Sequence, residues 1–97
     1  MVFLDEVVFF ENKIGTLSIH LIDDEIQIPN YSAKKFNGMI RQARFLSPVY
    51  GTYVNVDYIV DVDFRNREVY MKDNSVVPIG GRKYKKFKQE YLGMGDT

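Results

Sequence analysis

Between Thr16 and Asn30 the chain reads TLSIHLIDDEIQIPN, with an apolar residue at nearly every second position. Leu17, Ile19 and Leu21 fall on one side, and Ser18 and His20 on the other. After the acidic turn Asp23-Asp24 the spacing resumes at Ile26 and Ile28. Only an extended strand sends alternate side chains to one face, so this stretch predicts a β-hairpin with one buried side.

The rest of the chain is read against that hairpin. VVFFENK has strand composition. From Asn30 the period changes: Ala33, Phe36, Met39, Ile40 and Ala43 form one helical stripe, and Asn30 or Ser32 can cap its first turn. Gly38 weakens that helix by about 1 kcal/mol relative to Ala. After Phe45 strand patterns return. FLSPVYGTYVNVDYI reads as strand, turn and strand. YIVDVDF sets Ile59, Asp61 and Asp63 against Val60, Val62 and Phe64. The pairs RN and DN then make turns into REVYMK and SVVPIG. Three or four strands are expected between the first helix and a closing one. Tyr84, Phe87 and Tyr91 mark the apolar side of the closing helix, and Gly80-Gly81 breaks the chain just before it. Phe36, Met39, Ile40, Tyr84 and Phe87 are expected to pack as core. The segment 93–97 is expected to fray.

With 97 residues, no repeat and no linker, residues 1–97 are expected to form one domain. Strands, a helix, more strands and a second helix, with no βαβ alternation, predict a mainly β (α+β) fold of small antiparallel sheets with two short helices.

Cysteine is absent, which removes disulfides, zinc–thiolate sites and thiol catalysis. The longest apolar run, Val7 to Phe10, has four residues against the roughly 18 that a membrane span requires. No basic-then-apolar leader is present, so a cytoplasmic protein is expected. His20 is the sole histidine and has no nucleophile at a recognisable spacing, so a structural or surface role is expected. Asp61 and Asp63 share a strand face and are read as facing water rather than a cation. Asp23-Asp24-Glu25 lacks the spaced ligands and glycine of a calcium loop. Neither catalysis, a cofactor nor a metal is expected.

Thirteen basic and thirteen acidic residues cancel, yet Arg82, Lys83, Lys85, Lys86 and Lys88 place five positive charges in seven residues. A lysine-rich helix face is commonly just solvated. Here the single sign, and tyrosines that can hold the helix to the body while the lysines project, make phosphate contact the competing role. Gly80-Gly81 is read either as a backbone bend or as a source of free N–H groups for a phosphate.

Most of the chain, Asp5 to Leu92, resembles the LytTR family of bacterial DNA-binding domains, found mostly at the C-terminus of two-component response regulators. The resemblance rests on Phe45 followed by YVNVDYI, with Val54-Asn55 as the family's VN pair and Ile59 after it. It continues through NREVYMKDNSVVPIGGRKYKKFKQEYL. DEVVFFE is similar to the family's first strand ending in Glu. The resemblance implies sequence-specific DNA binding through loops rather than a recognition helix, in a bacterial transcriptional regulator. Direct repeats in a promoter, a receiver domain in the parent chain and a homodimer on DNA are implied with it. Carried over residue by residue, the contact segments are Asn12 to Gly15, Val49-Tyr50-Gly51 and Gly80-Gly81-Arg82. The DNA-binding candidates are Lys13, Gly15, Ser47, Tyr50, Arg82, Lys83 and Lys86.

The sequence departs from the family at those segments. Ser47 stands where an Arg is usual, Val49 for a His, Tyr50 for a basic residue and Gly51 for a Ser, and Gly80-Gly81 for Ser-Arg. Tyrosine can donate to a phosphate but cannot make the bidentate contact an Arg makes to guanine. The alternative expectation is therefore a divergent domain of the same fold that serves as a protein-interaction module.

Overall fold

The computed structural model describes residues 4–40 and 44–94. Its elements run β1 (Val7–Lys13), β2 (Thr16–Leu21), β3 (Glu25–Pro29), α1 (Ala33–Ile40), β4 (Phe45–Val49), β5 (Thr52–Asn55), β6 (Ile59–Asp63), β7 (Glu68–Met71), β8 (Val76–Pro78) and α2 (Tyr84–Met94). Every pairing is antiparallel. One sheet has five strands in the order β3-β2-β1-β5-β4, and the other three in the order β6-β7-β8. The mainly β class read from the pattern is the class observed. After Phe45 there are five strands, one or two more than expected, because β4 to β8 are short and their polar turns fragment the pattern.

The hairpin pairs as its alternation dictates, Leu17 with Ile28 and Ile19 with Ile26. Its central neighbour β1 carries an extra residue at Val8, since Val7 pairs with Leu21 and Phe9 already with His20. Such a bulge changes the face parity of everything after it. Val7 and Phe10 therefore share a core with Leu17, Ile19 and Phe36 on the α1 side. Val8 and Phe9 turn to the opposite core, built from Leu46, Val54, Val69, Val77, Ile79 and Phe87 between the two sheets and α2. Both faces of β1 are covered, which is why the strand reads as an unbroken apolar run.

Pro48 lies in β4, the edge strand of the larger sheet, at an irregularity between the pairs Leu46–Val54 and Val49–Thr52. An edge or a bulge is where a residue with no N–H can sit in a sheet. A second bulge corrects the reading of β6. Ile59 pairs with Met71 and Asp61 with Tyr70, leaving Val60 as the extra residue. Ile59, Val62 and Phe64 pack on the core, while Val60 is 63% exposed. The strict alternation that grouped Ile59 with the aspartates does not survive the bulge.

Ser32 is the cap of α1: its hydroxyl oxygen accepts from the Lys35 N–H at 3.3 Å and its carbonyl from the Phe36 N–H at 3.0 Å. Asn30, the other candidate, instead adopts a left-handed φ of 53° where the chain leaves β3. Phe36 is buried and Ile40 packs beside it, but Met39 is 40% exposed rather than core. The stripe is narrower than its spacing suggests because a helix of two turns meets the sheet with one row of side chains. Ala43, the last member of the expected stripe, lies outside the described residues. At the other end α2 continues through Met94, which packs against the core, so Gly93 and Met94 belong to the helix. Residues 95–97 lie outside the described residues.

Candidate nucleic-acid interface

Three connections meet at one end of the larger sheet. The first is the β1–β2 turn, two residues long, with Ile14 at φ 47° and Gly15 at φ 79°. Positive φ at both central positions defines a type I′ turn, which matches the twist of a hairpin. The second is the β4–β5 turn, Tyr50-Gly51, whose Gly51 carbonyl accepts the Asn12 N–H at 2.8 Å. The third is the link from β8 to α2, whose Gly80 N–H donates to the Pro48 carbonyl at 2.9 Å. These two bonds tie all three segments together. Among the expected contact residues, Lys13, Gly15, Tyr50 and Arg82 thus come from turns on one end.

Gly80 and Gly81 play different parts. Neither has a left-handed φ. A Cβ on Gly80 would sit 3.2 Å from Val49 Cγ2, whereas one on Gly81 would meet only Arg67 Nη1, at 3.8 Å. Gly80 permits the close crossing over β4, and its N–H is spent on Pro48 rather than offered to a phosphate. Gly80→Ala is expected to lower stability by about 1–3 kcal/mol. Gly81→Ala is expected to be neutral or stabilising by about 0.4–1 kcal/mol, read as paired urea melts. Equal losses in the two variants would contradict this assignment.

The remaining candidates divide by what they touch. Ser47, Lys83 and Lys86 line one cleft of about 190 Å³ together with Phe45, Tyr53 and Glu90. The Ser47 hydroxyl donates to the Val49 carbonyl at 3.0 Å, so it is committed within β4. Lys13 Nζ lies 3.5 Å from Glu11 Oε1, an exposed lysine on a half-buried glutamate, in a pair that salt weakens. Arg82 and Lys86 are exposed and Lys83 is half-buried. Among the described residues none of these three has a carboxylate within ion-pair distance. Lys88 differs from the expected projecting lysine. Its ammonium lies 5.3 Å from the Phe64 ring centroid and 5.7 Å from that of Tyr84, folded back on the aromatic cluster.

Arg67 is a cation that the sequence reading missed. It ends the β6–β7 turn at φ 57°, its carbonyl accepts the Ile79 N–H at 2.9 Å, and its guanidinium covers Tyr84 at 4.6 Å. The signal was the β7–β8 register: Glu68 opposite Pro78 puts Arg67 opposite Ile79, next to the Gly80 bend. Tyr31 and Tyr53 were also missed. With Asn12, Asn37, Tyr50 and Gly51 they line an uncharged cleft of about 140 Å³. Partial burial, then the neighbouring Tyr53 and Tyr50, raise the Tyr31 pKa above its usual value. No local pattern could have joined residues so far apart in the chain.

His20 has the structural role expected of it, stacked on Phe9 at 3.9 Å with Nε2 3.2 Å from Glu11 Oε1. Asp63 caps the β6–β7 turn, accepting from the Asn66 N–H at 3.0 Å and the Asn66 side-chain amide at 2.8 Å. Those hydrogen bonds hold its carboxyl below the usual pKa. Among the described residues no cluster of three or more His, Cys, Asp or Glu side chains is placed to hold a metal. No helix there is long and apolar enough to cross a membrane.

A β-sheet body that offers turns and cations at one end has the build of a binding domain. The profile of the LytTr DNA-binding domain matches residues 1–91, and the chain belongs to that family of DNA-binding domains. Its fold is similar to the LytTr DNA-binding domain of a putative methyl-accepting/DNA response regulator from Bacillus cereus, with a TM-score of 0.75 at 20% identity, covering 95% of this chain and 85% of that one. No curated protein matches the chain.

Proposed function

We propose that this chain binds promoter DNA through its turns, as part of a bacterial transcriptional regulator, with phosphate contacts supplying most of the affinity. The observation that carries this reading is the convergence of the β1–β2 turn, the β4–β5 turn and the β8–α2 link, a link that carries Arg82 and Lys83 beside Arg67, with Lys86 following one turn along α2. Turn residues such as Tyr50 fix the register of the duplex while the cations neutralise phosphates. Gly15 belongs to the same surface through the left-handed φ of 79° with which it closes the hairpin tip. Lys13 and Ser47 contribute less, since Glu11 and the Val49 carbonyl engage them. A receiver domain elsewhere in a cytoplasmic parent chain would supply the signal, and two copies on direct repeats would set promoter specificity.

The test is fluorescence anisotropy with a duplex of about 30 base pairs across a salt series. Four phosphate contacts predict that log K falls with log salt at a slope of roughly −3 to −4, and each of Arg67→Ala, Arg82→Ala, Lys83→Ala and Lys86→Ala should reduce that slope by about 1. A tight complex indifferent to salt would overturn the reading.

A second reading, a protein-interaction module of the same fold, is favoured by one observation. Tyr50 is 87% exposed, and the cleft beneath it has no charged lining residue. Retention of a partner protein, with no DNA binding at low salt, would select it.

A further inference from the structure

The tip of the β1–β2 hairpin holds an improbable residue. Type I′ turns call for Asn, Asp or Gly at the first central position, because only they take positive φ without strain. Here that position is Ile14, a β-branched residue at φ 47° whose side chain is fully exposed, at 104% relative accessibility. Left-handed backbone is most costly for such side chains, and in the free domain this one packs against nothing. Isolated exposed apolar residues are ordinary on protein surfaces. One placed where the backbone must strain to display it is not the default.

Its location narrows what would meet it. Asn12 lies beside Gly51 through the 2.8 Å bond, so the hairpin runs past the Tyr50 turn and projects farther from the body. The tip, Lys13 to Thr16, has Pro29 of β3 beside Thr16 and the Asn30 N–H donating to the Gly15 carbonyl at 3.1 Å, so Ile14 is a single apolar point beside a cation rather than an apolar patch. The one apolar group on the floor of the major groove is the thymine C5-methyl. Resting on the DNA-binding reading above, we propose that Ile14 is a specificity-determining contact that packs against thymine methyl groups in the major groove.

The experiment uses one substitution with opposite expected signs. Ile14→Asn restores the favoured I′ residue and should raise the melting temperature by about 4–8 °C for a domain of this size. Its affinity should fall. Labelled alternating A·T duplexes of about 24 base pairs, one with thymine and one with deoxyuridine throughout, isolate the methyl group. The parent chain should prefer the thymine duplex by roughly fourfold, the equivalent of one buried methyl. Ile14→Asn should bind both alike, while Ile14→Val should keep the preference.

Equal affinities of the parent for the two duplexes, with a loss in Ile14→Asn, would mean that the side chain meets sugars or an opened base step, and would overturn the methyl contact. Parent-like affinity in a stabilised Ile14→Asn would remove the tip from the interface altogether, leaving the phosphate-based reading in place. If the parent bound neither duplex at low salt, that reading would itself fail and this one with it.

Discussion

Phe87→Ala is expected to lower the unfolding free energy by about 3–5 kcal/mol, the usual range for emptying a buried phenylalanine site. Domains of this size have roughly 5–15 kcal/mol to lose. Phe87 is 1% exposed and is the buried residue of α2. Its ring stacks on Tyr91 at 6.0 Å and tilts against Phe64 at 6.4 Å, and it closes the core against Leu46, Val69 and Val77. Backbone collapse cannot refill that space, because α2 is held at its start by the Gly80 crossing over Val49. A urea midpoint within error of the parent's would show that α2 is not docked through this side chain. Binding should weaken too, since Lys83 and Lys86 keep their places only while α2 stays on β4.

The second large effect is expected at Asn55. This side chain is 3% exposed, donates from Nδ2 to the Val7 carbonyl at 2.9 Å, and accepts the Asp57 N–H on Oδ1 at 3.0 Å. It joins the end of β5 to the start of β1 and caps the short 3₁₀ turn Val56–Tyr58. Asn55→Ala would leave a buried carbonyl without its donor and the turn without its cap, and should destabilise by about 2–4 kcal/mol. Asn55→Asp tests the cause: it keeps the acceptor but turns a carboxylate oxygen toward the Val7 carbonyl, so it should be no better tolerated near neutral pH. If Asn55→Asp matched the parent in a thermal melt at pH 7, the Nδ2 bond would not be the important one. The VN pair on which the family resemblance rests is therefore buried scaffold, Val54 and Asn55 both being closed off from solvent.

That distinction explains how much of the molecule could be read beforehand. Alternation gave the β2–β3 hairpin because Leu17 and Ile19 are buried and the turn is short. Helical spacing located α1 and α2 because Phe36 and Phe87 each anchor one row. The bulges at Val8 and Val60 were illegible, since an inserted residue leaves the composition of a strand unchanged and shows only in its partner's register. Much of the candidate site was hidden for a related reason. The resemblance supplied the three contact segments, and the run Arg82 to Lys88 supplied its own charge, but Arg67 reaches the Gly80 bend only through the pairing of β7 with β8. Similarly, the engagement of Ser47 by Val49 and of Lys13 by Glu11 is a matter of side-chain direction, which spacing along one strand does not fix.

The extra residue in β1 has a consequence for how the protein comes apart. Because Val7 and Phe10 serve one core while Val8 and Phe9 serve the other, no cut through the molecule separates two self-sufficient halves. Melting either core withdraws the same strand from its neighbour, so the two cores are expected to unfold together, as a single transition in a urea melt. A surface assembled from turns on three separate segments needs that property, since its parts keep their spacing only if none can open alone.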